Sequence, residues 1–423
     1  MPATVVVGSQ WGDEGKGRVV DLLSAQADLV VRYQGGNNAG HTVWVGETRF
    51  AFHLIPTGII RGKRSLLGAG MVIDLPVLKQ EEDGLVAAGV EVLPHLRISE
   101  NAHLILPYHK LLEKAEEERL GSHAIGTTRR GIGPAYEDKA ARRGLRVGDL
   151  RNEADFAERL GRVIEYKNLI LSRVYGLPEV SAAEVVDSLR PLHEYYAGAI
   201  CDTSAIVNAA LAEGKQVLFE GAHGTMLDID WGTYPFVTSS SPTAGAVASG
   251  IGLGPKHIGR VVGTAKAYTT RVGAGPFPTE MAEELAAPMR EAGGEFGTTT
   301  GRARRIGWFD AVVVRKSHRL NALDSLAITH LDVLDRSEEV PVCAAYECDG
   351  ARTTEFPNDL GQLARCRPVY ETLPGWLADI SQVRSFTDLP ANAQRYVRRV
   401  EELVGVPVSH VLVGRQRDQS IVV

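Results

Sequence analysis

Short runs of β-branched and aliphatic residues recur along the chain, separated by stretches whose apolar positions repeat every three or four residues. TVVV (4–7) predicts a buried strand, and ADLVVRY (27–33), RFAFHLI (49–55) and RSLLGAG (64–70) predict further strands. Helical spacing marks residues 15–26, LPVLKQEEDGLVAAG (75–89) and YHKLLEKAEEERLG (108–121), the last with acid–base pairs four apart. Residues 151–213 are mainly helical in pattern. Strand signals return at KQVLFEG (215–221), IGRVVGTAKAY (258–268), SLAITHLDVL (325–334) and VSHVLVG (408–414). Such alternation predicts an α/β fold with a mostly parallel central β-sheet flanked by helices. No repeat or linker interrupts 1–423, so the chain reads as one large domain with a helical insertion at about 151–213.

Glycines gather in six polar segments: 8–17, 35–46, 121–133, 221–232, 245–254 and 293–301. Loops of this kind bring backbone N–H groups close to a ligand. In GSQWGDEGKGR (8–18), Gly15-Lys16 matches a P-loop, yet Gln10 stands at its first glycine position and Gly17 at its Ser/Thr position. Gly12, Gly15 and Gly17 suit phosphate at a helix N-terminus, with Lys16 adding a full charge. Asp13 and Glu14 fit there as metal ligand, base or helix cap. QGGNNAGHT (34–42) offers Asn37, Asn38 and His41 as donors or acid. GTTRRGIGPAYEDKAARRGLR (126–146) sets Thr127 and Thr128 beside Arg129 and Arg130, which suits a monophosphate or, alternatively, a solvated basic face. EFGTTTGRARRIGW (295–308) repeats the arrangement for a small dianion. Asp332, after an apolar run, suits either a guanine-reading acid or a turn.

Composition narrows the field. Hydrophobic residues make up 44% and charged residues 23% of 423, the profile of a globular protein. A net charge of −6 speaks against nucleic acid as a partner. Four cysteines show no CxxC spacing, so neither zinc nor a disulfide framework is expected. No run reaches membrane-span length, and MPATVVVGSQ lacks the basic region and apolar core of a signal peptide, so a cytoplasmic location without membrane contact is expected.

Together the motifs GSQWGDEGKG, RYQGGNNAGHT, HLIPTGI, AIGTTRRGIGPAYEDKAARRGLR, FEGAHGTMLDIDWGTYPFVTSS, TAKAYTTRVGAGPFPTE and TTTGRARRIGW resemble the adenylosuccinate synthetase family from about residue 4 to the C-terminus. The resemblance implies GTP-dependent ligation of L-aspartate to IMP through 6-phosphoryl-IMP, in AMP biosynthesis. It implies Asp13 as the base that removes the N1 proton and as a Mg²⁺ ligand with the carbonyl of Gly40. His41 assists phosphoryl transfer, alongside Lys16. GTP contacts fall on Gly12, Glu14, Gly15, Lys16, Gly17 and Gly40 to Thr42. At the far end they fall on Arg304, His330, Asp332 and Gly414. IMP contacts fall on Asp13, Asn38, Thr128, His223, Thr238 and Arg302, with Arg142 supplied by the neighbouring subunit of a homodimer. The aspartate loop maps to Thr298, Thr299, Thr300 and Gly301, with Arg302 and Arg304.

Three positions depart from the family pattern. His223 replaces a glutamine near the 6-oxygen of IMP, and His330 replaces a lysine beside guanine. SHVLVGRQRDQS departs from Ser-x-Gly-Pro-Asp-Arg at Leu412 and Arg415-Gln416, while Gly414 and Arg417 remain. These leave two alternatives beside the housekeeping enzyme: a paralogue for another purine, triphosphate or amino acid, and a non-catalytic nucleotide sensor.

Overall fold

Ten strands pair into one sheet because their residues are apolar on both faces, as strands covered by helices must be. In a computed structural model, which describes residues 3–121, 124–297, 301 and 303–423, these strands are β1 (Ala3–Gly8), β2 (Leu29–Arg32), β3 (Arg64–Leu67), β4 (Leu96–Ser99) and β5 (Ile200–Cys201), followed by β6 (Val217–Gly224), β7 (Arg260–Lys266), β8 (Ser325–Thr329), β9 (Val408–Leu412) and β10 (Ser420–Val422). Their order is β10-β9-β8-β7-β1-β6-β2-β3-β4-β5. Every pairing is parallel except β9 with β10. Val5 sits opposite Phe219 on one side and Val261 on the other. Val5, Val31, Phe219, Leu326 and Ile328 are fully buried in one apolar cluster.

The helices explain how the sheet is covered. Helix α1 (Lys16–Ser24) starts directly after the β1 loop, with Gly15 at its N-cap in the left-handed conformation at φ 83°. Helices α2 (Leu75–Ala87), α3 (Pro107–Leu120) and α4 (Ile132–Ala140) follow. Asp74 caps α2, its side chain accepting from the N–H of Val77. Between Glu153 and Ala212 lie α5 (Glu153–Tyr175), α6 (Ala182–Tyr196) and α7 (Thr203–Ala212), with β5 set between the last two. Leu160, Ile164 and Leu171 of α5 pack with Val185 and Leu189 of α6 in a second core, away from the centre of the sheet.

Most expected strands occur, but their partners were not all legible. Residues 49–55 do form a strand over Thr48–Phe52, yet it pairs with His41–Val45 as a separate hairpin. A second sheet joins Glu339–Cys348 to Arg367–Pro374, antiparallel, outside the main one. The expectation that the cysteines form no disulfide framework is corrected there: Cys348 and Cys366 form a disulfide with Cα atoms 4.4 Å apart. Their spacing of 18 residues carries no motif, and it is the strand pairing of Glu347 with Arg367 that brings them together. Cys201 and Cys343 are free.

Phe219, buried at the centre of the sheet, tests the packing. Phe219→Ala should cost about 3–5 kcal/mol in urea unfolding, through lost burial and the cavity left behind.

Candidate functional site

In a parallel sheet, ligands gather at the carboxyl ends of the strands. Here the loops leaving β9, β8, β7, β1, β6 and β2, six neighbours in the sheet, converge on a cavity of about 730 Å³. Its wall includes Asp13 and Lys16 from the β1 loop and α1, Asn38 and His41 beyond β2, His223 from β6, and Asp332 beyond β8.

The β1 loop is built around Glu14. This fully buried carboxylate accepts from the N–H of Gln10 (3.0 Å) and of Gly12 (2.9 Å), and Lys16 Nζ lies 2.6 Å away. Gln10 in turn accepts from the N–H of Lys266 at 3.0 Å, which ties the loop to β7. The glycines are needed because nothing larger fits: a Cβ on Gly224 would lie 2.3 Å from Gln10 O and from Gly12 N. Asp13 is thereby turned outward at φ 58°, and His223 and His330 adopt φ 63° and 57°. Left-handed backbone at residues other than glycine costs about 1–3 kcal/mol each and clusters at functional sites.

His41 is oriented by a carboxylate that sequence reasoning assigned no role. Its Nδ1 lies 2.5 Å from Glu220 Oε1, and Glu220 Oε2 accepts from the N–H of Thr57 at 2.8 Å. His41 Nε2, buried, has no partner among the described residues. Burial lowers the His41 pKa against the raising effect of Glu220, so the imidazole is neutral with Nδ1–H donated to the carboxylate. Burial opposes the charge on Glu220, but the His41 hydrogen bond and Arg32 keep its pKa below the usual value. Nearby, Asn38 Nδ2 donates to Thr238 Oγ1 at 3.5 Å, joining two residues expected at one phosphate.

Asp13 is not isolated. Arg304 Nε lies 2.9 Å from Asp13 Oδ2, while Arg304 Nη1 donates to Glu295 at 2.6 Å. Glu295, fully buried, also accepts from Lys266 Nζ at 2.5 Å and from the Tyr268 hydroxyl. Burial opposes the Glu295 charge, but Lys266 and Arg304 overcome it and hold the pKa at about 2. Burial lowers the pKa of His223 to about 3, with Lys16 and Arg32 adding to the effect. Burial and Lys266 do the same to His330, which meets Tyr268 edge to face with ring centres 6.2 Å apart. Both rings are neutral. Burial raises the pKa of Asp332.

The cavity wall gathers Gly12, Asp13, Gly15, Lys16, Gly17, Asn38 and Gly40 to Thr42. Thr128, His223, Thr238, Arg304, His330, Asp332 and Gly414 complete the expected residues on it. Glu14 does not line it; the carboxylate braces the loop from behind instead of facing a ligand. Gly301 and Arg142 are also off the wall. Thr298, Thr299, Thr300 and Arg302 lie outside the described residues. Glu220, Glu295 and Lys266 were missed as supports. Glu220 does fall inside the quoted FEGAHG motif, but only the fold sets it beside His41.

Residues 5–421 match the family model described as adenylosuccinate synthetase. The chain belongs to the adenylosuccinate synthetase family. Adenylosuccinate synthetase from Pelotomaculum thermopropionicum is 53% identical over 422 residues, covering 100% of this chain and 99% of the relative. That from Frankia alni is 52% identical over 424 residues, with the same shares. Fully ligated adenylosuccinate synthetase from Plasmodium falciparum superposes with a TM-score of 0.95 at 37% identity, covering 100% of each chain. Cyanophage S-2L succinoaminodeoxyadenylate synthetase, bound to dGMP and dATP as an energy donor, has a TM-score of 0.62 at 21% identity. It covers 99% of this chain and 94% of its own, and at that identity it shares the fold. Family membership and the superposition bear out the expected fold class and ligase activity, GTP-dependent joining of IMP and aspartate.

Two neutral histidines make the site sensitive to acid. Their folded pKa values lie below the ordinary value of 6.5, so the unfolded chain binds protons first and stability falls as pH drops below about 6.5. Thermal unfolding at pH 7.5 and pH 5 should show a loss that is smaller in the His223→Gln/His330→Gln variant, by about 2 kcal/mol per histidine.

Proposed function

We propose that the residues on this cavity wall carry the family reaction in the roles that follow, joining IMP and L-aspartate at the expense of GTP. The observation that carries the reading is the placement of Asp13 on one wall with Lys16, His41 and Asp332. A phosphate loop that itself presents a carboxylate to the cavity can start the chemistry as well as hold the nucleotide.

Asp13 takes the N1 proton of IMP, and the 6-oxygen then attacks the γ-phosphorus of GTP, breaking its bond to the β–γ bridging oxygen so that GDP leaves. The Gly12, Gly15 and Gly17 loop and Lys16 balance the charge of the transferring group. A polyphosphate beside His41 Nε2 favours its protonation, and the imidazolium then donates to a phosphoryl oxygen while Glu220 holds the ring. The aspartate amine attacks C6, and phosphate departs with the former 6-oxygen. Phosphorylation turns a poor leaving group into a good one. Asp332 accepts from the N1–H and amine of guanine.

The Asp13 carboxylate and the Gly40 carbonyl, hard oxygen donors on the cavity wall, would hold Mg²⁺. No cage of three or more His, Cys, Asp or Glu side chains occurs among the described residues. When bound, the ion supplies positive charge to the phosphates.

The chain acts as a cytoplasmic homodimer in this reading. No helix among the described residues is long and apolar enough to cross a membrane. Arg142, exposed after α4 and off its own cavity wall, would reach the neighbouring site. Exposed Trp231 and Tyr234, in the segment leading to Thr238, give an apolar surface for the partner.

His223 and His330 favour a second reading, in which a modified purine or another triphosphate is the better substrate. A panel varying the purine monophosphate and the triphosphate independently decides. IMP with GTP should give the highest kcat/KM, and a higher value for another pair would establish the second reading. Asp13→Ala should lower kcat by roughly 100- to 10,000-fold while calorimetry still detects IMP and GTP binding; a sensor would have no turnover to lose. Glu220→Gln should lower kcat by roughly 10- to 100-fold, with a smaller change in the KM for GTP.

A further inference from the structure

Behind the loops that face the catalytic cavity lies a second one, of about 510 Å³. The two cavities share their walls in alternation. Asn38 faces the first and Asn37 the second; Thr127 and Thr128 face the first, Arg129 and Arg130 the second. Arg49 lines both.

The charges facing the second cavity do not cancel. Lys110 Nζ is 2.6 Å from Asp74, so that pair is internally balanced. Glu81 accepts from the N–H groups of His53 (3.0 Å), Leu54 (2.8 Å) and Ile55 (3.1 Å), which turns its carboxylate toward the backbone. His53 is held by Ala39 O, 2.7 Å from its Nδ1, and burial lowers its pKa toward the neutral form. Three guanidiniums remain. Among the described residues Arg49 and Arg130 have no carboxylate within 4 Å, and Arg129 meets only exposed Glu118, at 3.9 Å. Arg130 Nη1 donates to Asn37 O at 2.6 Å and leaves other N–H groups for an occupant. Asn37 is buried, and its side-chain oxygen has no partner among the described residues. Planar guanidiniums converging on one recess are suited to phosphoryl oxygens.

We propose that this second cavity is a binding site for a small phosphorylated anion, separated from the catalytic cavity only by the 35–40 and 126–131 loops. An occupant would bridge Arg129 and Arg130 to Arg49 and hold both loops in place. On the functional reading above, those loops carry Asn38 and Thr128 to the phosphate of IMP, so occupancy would tighten IMP binding.

Inorganic pyrophosphate is the probe. Calorimetric titration of the whole protein, saturated with IMP and GDP, should show one pyrophosphate bound per chain. Arg129→Gly removes a guanidinium at φ 56°, where glycine is comfortable, and Gln80→Glu adds a negative charge on the exposed α2 wall of the same cavity. Each should weaken that binding about tenfold, with melting temperature and turnover of Gln80→Glu retained. Absence of pyrophosphate binding to the saturated protein overturns the proposal, as does binding that both variants leave unchanged. Without nucleotides, additional pyrophosphate should bind and be lost in Lys16→Ala. If IMP and GDP fail to displace that additional pyrophosphate, the functional reading fails while the second site stands.

Discussion

Glu14 is a charged side chain with no contact with solvent, and the geometry of the whole site follows from where its hydrogen bonds go. A buried carboxylate is costly unless its oxygens are satisfied. Gln10 N–H, Gly12 N–H and Lys16 Nζ satisfy it, two from the loop between β1 and α1 and the third from the first residue of α1. The loop therefore closes on itself, tight enough that Gly8 and Gly224 have no room for a Cβ. With Glu14 turned inward, its neighbour Asp13 is turned outward into the cavity. Two adjacent acids thus point opposite ways, one bracing the loop and one facing the cavity.

A second chain of charges links that loop to the segment after residue 295. Asp13 pairs with Arg304, Arg304 with Glu295, and Glu295 with Lys266 at the end of β7. Arg304 is therefore shared between the expected base and a buried anchor. On the proposed roles, a nucleotide and a cation at Asp13 would compete with or rearrange this contact, which would couple the segment proposed for aspartate to the first chemical step. On the other side, Glu220 fixes the His41 ring, so His41 directly and Asp13 through Arg304 are each tied to a buried carboxylate behind the cavity wall.

Much of this was legible in the chain. The apolar runs at 4–7, 215–221 and 258–268 became the centre of the sheet because continuous apolar strands need burial on both faces, and their loops carried the recognisable motifs. The failures have physical causes. The 49–55 strand is present as Thr48–Phe52, and it pairs with its near neighbour His41–Val45 in a hairpin outside the main sheet. Glu14 looked like a ligand contact because spacing along a loop cannot show which way a side chain points. Glu220, Glu295 and Lys266 were invisible as supports because their partners lie 179, 9 and 29 residues away and meet them only in the fold. The Cys348–Cys366 pairing depends in the same way on strand register.

The central claim is that one cavity first transfers a phosphoryl group to the 6-oxygen of IMP and then replaces that oxygen with an amine. Mass spectrometry of the inorganic phosphate released from IMP labelled with oxygen-18 at the 6-position tests it directly. The account predicts that each turnover places the label in phosphate. Label retained in the purine product or released into water would contradict it.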